Sequence, residues 1–218
     1  MDLLLLERLN KLRNQRVAVI VATEIEAGSQ RLIQKGDELN QGIEARFLSG
    51  KSGVEDGVFY ATYLPPPRLV IIGAVHISQH MIAPAKACGF DVTVIDPRTA
   101  FASKERFQGV TLHAEWPDEI LAKAPLDAYT AVAALTHDPK IDDGPLQKAL
   151  EAECFYVGAL GSRKTHGKRV DRLKANGLSE QQIERIDAPI GLDIGASSPA
   201  EISVAVLGTI IASLRGRA

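Results

Sequence analysis

The chain has 218 residues, enough for one large α/β domain and a small accessory unit. Apolar residues make up 45% and charged residues 24%, and the net charge of −2 excludes the broad basic surface of a general nucleic-acid binder. The two cysteines, Cys88 and Cys154, belong to no CxxC pair, which excludes a zinc ribbon or redox dithiol and fits a reducing, cytoplasmic compartment. No apolar run approaches the ~20 residues of a membrane span. The leucine-rich start, Met1 to Leu6, is acid-flanked and too short for a signal peptide.

In chain order, residues 1–14 read as a helix with Leu5, Leu9 and Leu12 on one face. That face suits packing on the chain's own domain, with a homodimer contact as the alternative. Residues 16–63 read as β-rich. Strands are expected at Arg16–Ala22, Arg31–Gln34, Glu44–Leu48 and Gly57–Tyr63, separated by glycine-bearing turns. Pro65-Pro66-Pro67 is a stiff connector. It divides a small N-terminal unit over 1–64, helix plus β, from a larger domain over 68–218.

From Leu69 onward strands and helices alternate, the pattern of a Rossmann-like, doubly wound parallel sheet. Strands are expected at 69–73, 91–95, 110–113, 129–135 and 155–159. Helices fill 77–88, 117–123, 144–153, 162–175 and 179–186. Gly177 reads as a helix C-terminus and Ser179 to Gln182 as a capping box. Ser198-Pro199-Ala200-Glu201 opens the last helix.

The stretch 68–98 is half of a dinucleotide-binding signature in altered form. Gly73 closes the first strand, a helix follows, and Asp96 ends the second strand about 20 residues on, where a ribose-binding acid stands in such folds. The second and third glycine positions are Val75 and Ser78, and a valine there would crowd a pyrophosphate. The fold is therefore better supported than NAD binding.

Ligands of such sheets bind beyond the carboxyl ends of the strands. Five polar clusters are expected there: Gly73 to His76; Asp96-Pro97-Arg98; Thr136-His137-Asp138-Pro139 with Asp142 and Asp143; Gly158 to His166; and Gly191 to Gly195 around Asp193. Gly161-Ser162-Arg163-Lys164 at a strand-to-helix turn suits an anion as well as an ordinary N-cap by Ser162. Asp96 suits a ribose diol and Arg98 a phosphate beside it, or the two form a surface ion pair. His76 looks ligand-facing, and His80 solvated or packed. His137-Asp138 has the chemistry of a proton-transfer pair, but with no nucleophile near in sequence a binding role is favoured. Asp142, Asp143 and Asp193 are weak cation candidates, and no metal site is assigned.

Ser49-Gly50-Lys51-Ser52 has the tail of a phosphate-binding P-loop, but Ala45 stands where the motif needs glycine and a strand is expected after it. Cys88 and Cys154 are both expected in the core.

Three longer stretches carry a family resemblance: Leu135 to Asp143 (LTHDPKIDD), Tyr156 to His166 (YVGALGSRKTH) and Ala188 to Gly195 (APIGLDIG). In that order they resemble the Rossmann-like domain of the XdhC/CoxI family, accessory proteins of molybdenum hydroxylases such as xanthine dehydrogenase and carbon monoxide dehydrogenase. The resemblance implies a chaperone, not itself an enzyme, that binds molybdenum cofactor as molybdopterin or its dinucleotide and helps insert it into an apo-hydroxylase. It further implies a cysteine desulfurase as a possible second partner. Gly73, His76, Asp96 and Arg98 would hold one half of the ligand, and Thr136, His137, Asp138, Gly161, Ser162, Arg163, His166 and Asp193 the other. Two departures stand out. The family's Gly-Ala-Gly-His loop is Gly73-Ala74-Val75-His76 here. Its Ser-Gly-Gly-Cys-Val-Glu-like motif is matched only by Ser49 to Glu55, without the cysteine. The N-terminal unit thus reads as a reduced form of the family's own. An NAD(P)-dependent oxidoreductase and a ligand-free protein–protein adaptor are the rival readings.

Overall fold

The computed structural model describes residues 2–37 and 41–216. They form two compact units that divide between Pro65 and Pro66.

The first unit is a helix α1 (Leu3–Asn14) and a four-stranded antiparallel sheet of order β2-β1-β4-β3, from β1 (Val19–Glu24), β2 (Gln30–Gln34), β3 (Gly53–Glu55) and β4 (Val58–Tyr63). Asp2 caps α1 by accepting the Leu5 N–H. Leu9 packs with Val19 and Val21, with Leu5 and Leu12 alongside, so the leucine stripe covers this unit's own sheet. The strand expected at 44–48 is instead part of a helix, α2 (Gln41–Ser49). The reason is periodicity: Ile43 and Phe47, four apart, are the buried pair, whereas Leu48 between strand-like neighbours is exposed. Arg46 on α2 pairs with Glu55 at 3.1 Å and lies over the Tyr60 ring. The Ser49 to Ser52 loop follows a helix and leads into β3, the reverse of a P-loop.

The second unit is a six-stranded parallel sheet: β5 (Arg68–Ile72), β6 (Asp91–Ile95), β7 (Thr111–His113), β8 (Thr130–Ala134), β9 (Tyr156–Ala159) and β10 (Ile186–Asp187), in the order β10-β9-β8-β5-β6-β7. The helices are α3 (His76–Ala87), α4 (Pro117–Lys123), α5 (Pro139–Glu151), α6 (Arg163–Ala175), α7 (Glu180–Ile183) and α8 (Pro199–Leu214). The helix expected at 144–153 starts earlier, at Pro139, because Asp138 caps it and proline suits its first turn. The helix expected over 179–186 is a single turn, and Ile186 has joined the sheet as β10.

Both faces of the sheet are covered, which explains the nearly unbroken apolar strands. Side chains alternate across β5. Leu69 and Ile71 join the core under α3 and α8, while Val70 and Ile72 join the core under α4, α5 and α6. Cys154 is buried as expected, but Cys88 is exposed. Cys88 is the C-cap of α3, and Gly89 at φ +86° turns the chain away from the apolar face there. No described helix is long and apolar enough to cross a membrane.

Candidate functional site

Renumbered along the chain, the sheet has the order 3-2-1-4-5-6, so its switch point lies between β5 and β8. The two strand ends meet there closely. A Cβ on Gly73 would sit 2.9 Å from Thr136 Cγ2, and Gly73 holds φ +118°, so both space and backbone demand glycine. Beyond Thr136, His137 also adopts a left-handed φ of 64° and brings its ring to 3.6 Å from where a Cβ on Gly161 would stand. Three of the five sequence clusters, those of Gly73, Thr136 and Gly161, are therefore neighbours along one edge.

The first loop keeps its hydrogen bonds to itself. The Gly73 N–H donates to Ile95 O at 2.8 Å, the Ala74 N–H to Asp96 Oδ2 at 2.8 Å and the Val75 N–H to Ser78 Oγ at 2.9 Å. Asp96 is 0% exposed and also accepts from Arg98: Oδ1 from its N–H and Nε at 2.9 Å each, Oδ2 from Nη2 at 2.7 Å. Burial pushes the Asp96 carboxyl up, but the Arg98 and Ala74 hydrogen bonds outweigh it and hold the group below its ordinary value. The pair is thus an internal fastener rather than a surface ion pair, with Arg98 also stacked on the Phe101 ring at 4.5 Å. His76 and His80 are exposed on α3.

The second half is built differently. Thr136 Oγ1 donates to Asp142 Oδ1 at 2.7 Å and accepts the Asp138 N–H, and Asp138 caps α5 by accepting the Lys140 N–H. Asp142 is 1% exposed, its Oδ2 has no partner, and burial pushes its carboxyl up to about 6 against the pull of Thr136 and Arg169. Ser162 caps α6 by accepting the Thr165 N–H, which leaves Arg163 exposed. His166 Nδ1 is buried without a partner, and burial and the Arg169 charge hold the ring toward its neutral form.

Between the N-terminal ends of α5 and α6 lies a cavity of about 310 Å³ lined by His137, Pro139, Lys164, Thr165, Lys168, Arg169 and Arg172. Arg172 grips Asp143 with Nε and Nη2. Arg169 is 2% exposed; its Nη2 donates to Leu160 O at 3.0 Å, while Nε and Nη1 have no hydrogen-bond partner. Two helix N-termini and four cations converge here, an arrangement that favours an anion.

Of the residues the sequence pointed to, His137 and Lys164 line this cavity, whereas Ser162, Arg163 and His166 do not, and Lys168, Arg169 and Arg172 were missed. Lys164, Lys168 and Arg172 recur every fourth residue on α6, a basic stripe that periodicity alone would have exposed. Asp193 stands exposed on the loop after β10 and does not line the cavity. Asp142 and Asp143 engage Thr136 and Arg172, and among the described residues no cluster of three or more acids, histidines or cysteines could hold a metal ion.

Comparison with known proteins follows the same outline. The family model described as the XdhC Rossmann domain matches residues 69–210. The chain is 31% identical over 193 residues to the uncharacterized protein YqeB of Escherichia coli, covering 86% of this chain and 35% of that one. It is 32% identical over 157 residues to the molybdenum cofactor insertion chaperone PaoD of Escherichia coli, covering 72% of this chain and 43% of PaoD. The chain thus spans well under half the length of these curated relatives. A crystal structure described as a xanthine dehydrogenase from Bacillus halodurans shares the fold, with a TM-score of 0.66 at 23% identity over 98% of this chain and 64% of that one. With most of its second unit matched and the switch-point sheet in place, the chain belongs to the family of the XdhC Rossmann domain.

Proposed function

We propose that this chain binds molybdenum cofactor, as molybdopterin or its dinucleotide, and assists the maturation of a molybdenum hydroxylase of the xanthine dehydrogenase or carbon monoxide dehydrogenase kind. The observation that carries the reading is the cationic cavity beside the switch point, in a chain 32% identical to a molybdenum cofactor insertion chaperone. The cofactor reaches such a protein as cargo. Its pterin carries a phosphate or, in the dinucleotide, a pyrophosphate, and Lys164, Lys168 and Arg169 suit that end. Thr136, His137 and Gly161 line the approach from the switch point to the cavity.

The chain brings no thiol to this edge. Cys88 ends α3 and Cys154 precedes β9, both at the opposite, amino edge of the strands. Burial also pushes the Cys154 thiol up to about 12, leaving almost no thiolate. In this reading the cargo is held by its phosphate and ring rather than by a cysteine from this chain. The sulfur would come from a separate donor, such as a cysteine desulfurase, and the apo-hydroxylase would be the recipient.

A thermal-shift series tests this with molybdopterin and molybdenum cofactor under anaerobic conditions, the cytidine dinucleotide form, CTP, AMP, NAD and NADP. A ligand at 100 times its Kd stabilises the native state by about 2.7 kcal/mol, well within detection. The expected result is stabilisation by the molybdopterin species. Stabilisation by NAD or NADP alone would move the chain to the oxidoreductases, and silence throughout would favour a ligand-free adaptor.

A further inference from the structure

Two arginines of the second unit each grip a carboxylate with two donors. Arg98 spends its Nε and Nη2 on Asp96, and Arg172 spends the same two atoms on Asp143. Arg169 departs from this. It is the most deeply buried cation of the α6 stripe region, yet it makes one hydrogen bond, to Leu160 O, and its Nε lies 4.0 Å from Asp143 Oδ1, beyond hydrogen-bonding distance. Leaving donors of a buried guanidinium unmade is costly. Such a group calls for a partner, and a bound anion in the adjoining cavity would supply one.

We infer that the cavity between α5 and α6 is a phosphoryl seat, with Arg169 as its fixed charge and Lys164 and Lys168 as its closing cations. The inference deepens the cofactor reading above by naming the group and the residues that take it. It rests on that reading only for the identity of the rest of the ligand. The charge balance favours a dianion. Four lining cations face two carboxylates, Asp142 and Asp143, and among the described residues no ion pair engages Lys164 or Lys168. A phosphate monoester, doubly charged near neutral pH, matches what is left over. The N-termini of α5, at Pro139, and α6, at Lys164 and Thr165, add their dipoles in the same sense. A volume of about 310 Å³ admits a phosphate or pyrophosphate with part of its ester, not a whole dinucleotide. The remainder of such a ligand would extend past His137 and Gly161 to the switch point.

The test is calorimetric titration of the full chain with inorganic phosphate and inorganic pyrophosphate at fixed ionic strength. The wild type is expected to bind pyrophosphate saturably. The K164A/K168A double variant should bind at least tenfold more weakly, and K123A, an exposed lysine on α4, should bind as wild type. Arg169→Met, checked for folding by circular dichroism, should lose binding as well; should it not fold, the lysine variants still decide. Failure of the wild type to bind either probe, or undiminished binding by K164A/K168A, would overturn the inference. Molybdopterin titrated into the same proteins separates the two readings. Binding that survives K164A/K168A sinks the phosphoryl seat and leaves the cofactor reading standing. Pyrophosphate binding that depends on the lysines, without molybdopterin binding, keeps the seat and sinks the cofactor reading.

Discussion

The loop after β5 and the loops after β8 and β9 start from the same local grammar, a buried apolar strand, a turn with a left-handed residue and a capped helix. They end in opposite states. After β5 the donors are consumed internally: Gly73 by Ile95, Ala74 by Asp96 and Val75 by Ser78, with Arg98 closing over the carboxylate. After β8 and β9 the polar groups are held in place yet left incomplete, with Arg169 Nε and Nη1, Asp142 Oδ2 and His166 Nδ1 all buried without partners. Hydrogen-bond satisfaction is thus uneven over the strand ends of this sheet. The half that looks like a nucleotide signature in sequence is the half that has turned its hydrogen bonds inward, and the unpaired buried polar groups lie across the switch point.

The sharpest way to break this contrast is to open the closed half. Asp96→Asn removes the charge that fastens Arg98 and the Ala74 N–H. Breaking a buried pair while leaving its partner is expected to cost about 2–4 kcal/mol, moderated because the Arg98 side chain is 33% exposed. Urea denaturation measures it; a loss below about 1 kcal/mol would mean that the loop is not held by this pair.

The open half should respond with the opposite sign. The Asp142 carboxyl, raised to about 6, favours its protonated form in the folded state. A folded value above the unfolded one stabilises most below the unfolded value, and that contribution is lost as pH rises through about 6. Wild type should therefore gain up to roughly 3 kcal/mol relative to Asp142→Asn as pH falls from 7 to 4. Parallel denaturation curves for the two proteins across this range check the sign. A difference independent of pH would remove Asp142 from the strained set.

The smallest effect separates capping from binding within one turn. Ser162→Ala deletes the acceptor of the Thr165 N–H and should cost about 1 kcal/mol of stability. Pyrophosphate affinity should stay within a few-fold, since Ser162 does not line the cavity. A loss of affinity comparable to that of K164A/K168A would make Ser162 a direct ligand contact.

Much of the fold was legible because the chain states it redundantly. Apolar runs at 69–73, 91–95 and 129–135 are bounded by glycine, aspartate and threonine turns, and each agrees with the helix that follows. What failed was local ambiguity. Residues 44–48 suit a strand by composition, and only the Ile43–Phe47 spacing speaks for the helix. Ile186 is a sheet residue solely because Val157 is beside it to receive it. Cys88 follows the apolar period of α3 into its last turn, but that period does not say where the chain leaves the helix.

By itself the sequence determined the alternation of strand and helix, the proline boundary, the caps at Ser162, Ser179 and Ser198 and the three family stretches. These rest on near-neighbour chemistry that side-chain type and spacing dictate. Only the tertiary structure decided which of the marked polar groups have spare hydrogen-bonding capacity. Asp96 and Asp142 are both acids near strand ends in the sequence. One is buried beneath a matched arginine; the other faces an arginine whose one hydrogen bond goes to the Leu160 carbonyl. Satisfaction of a buried group depends on partners brought from distant segments, and no local pattern encodes it.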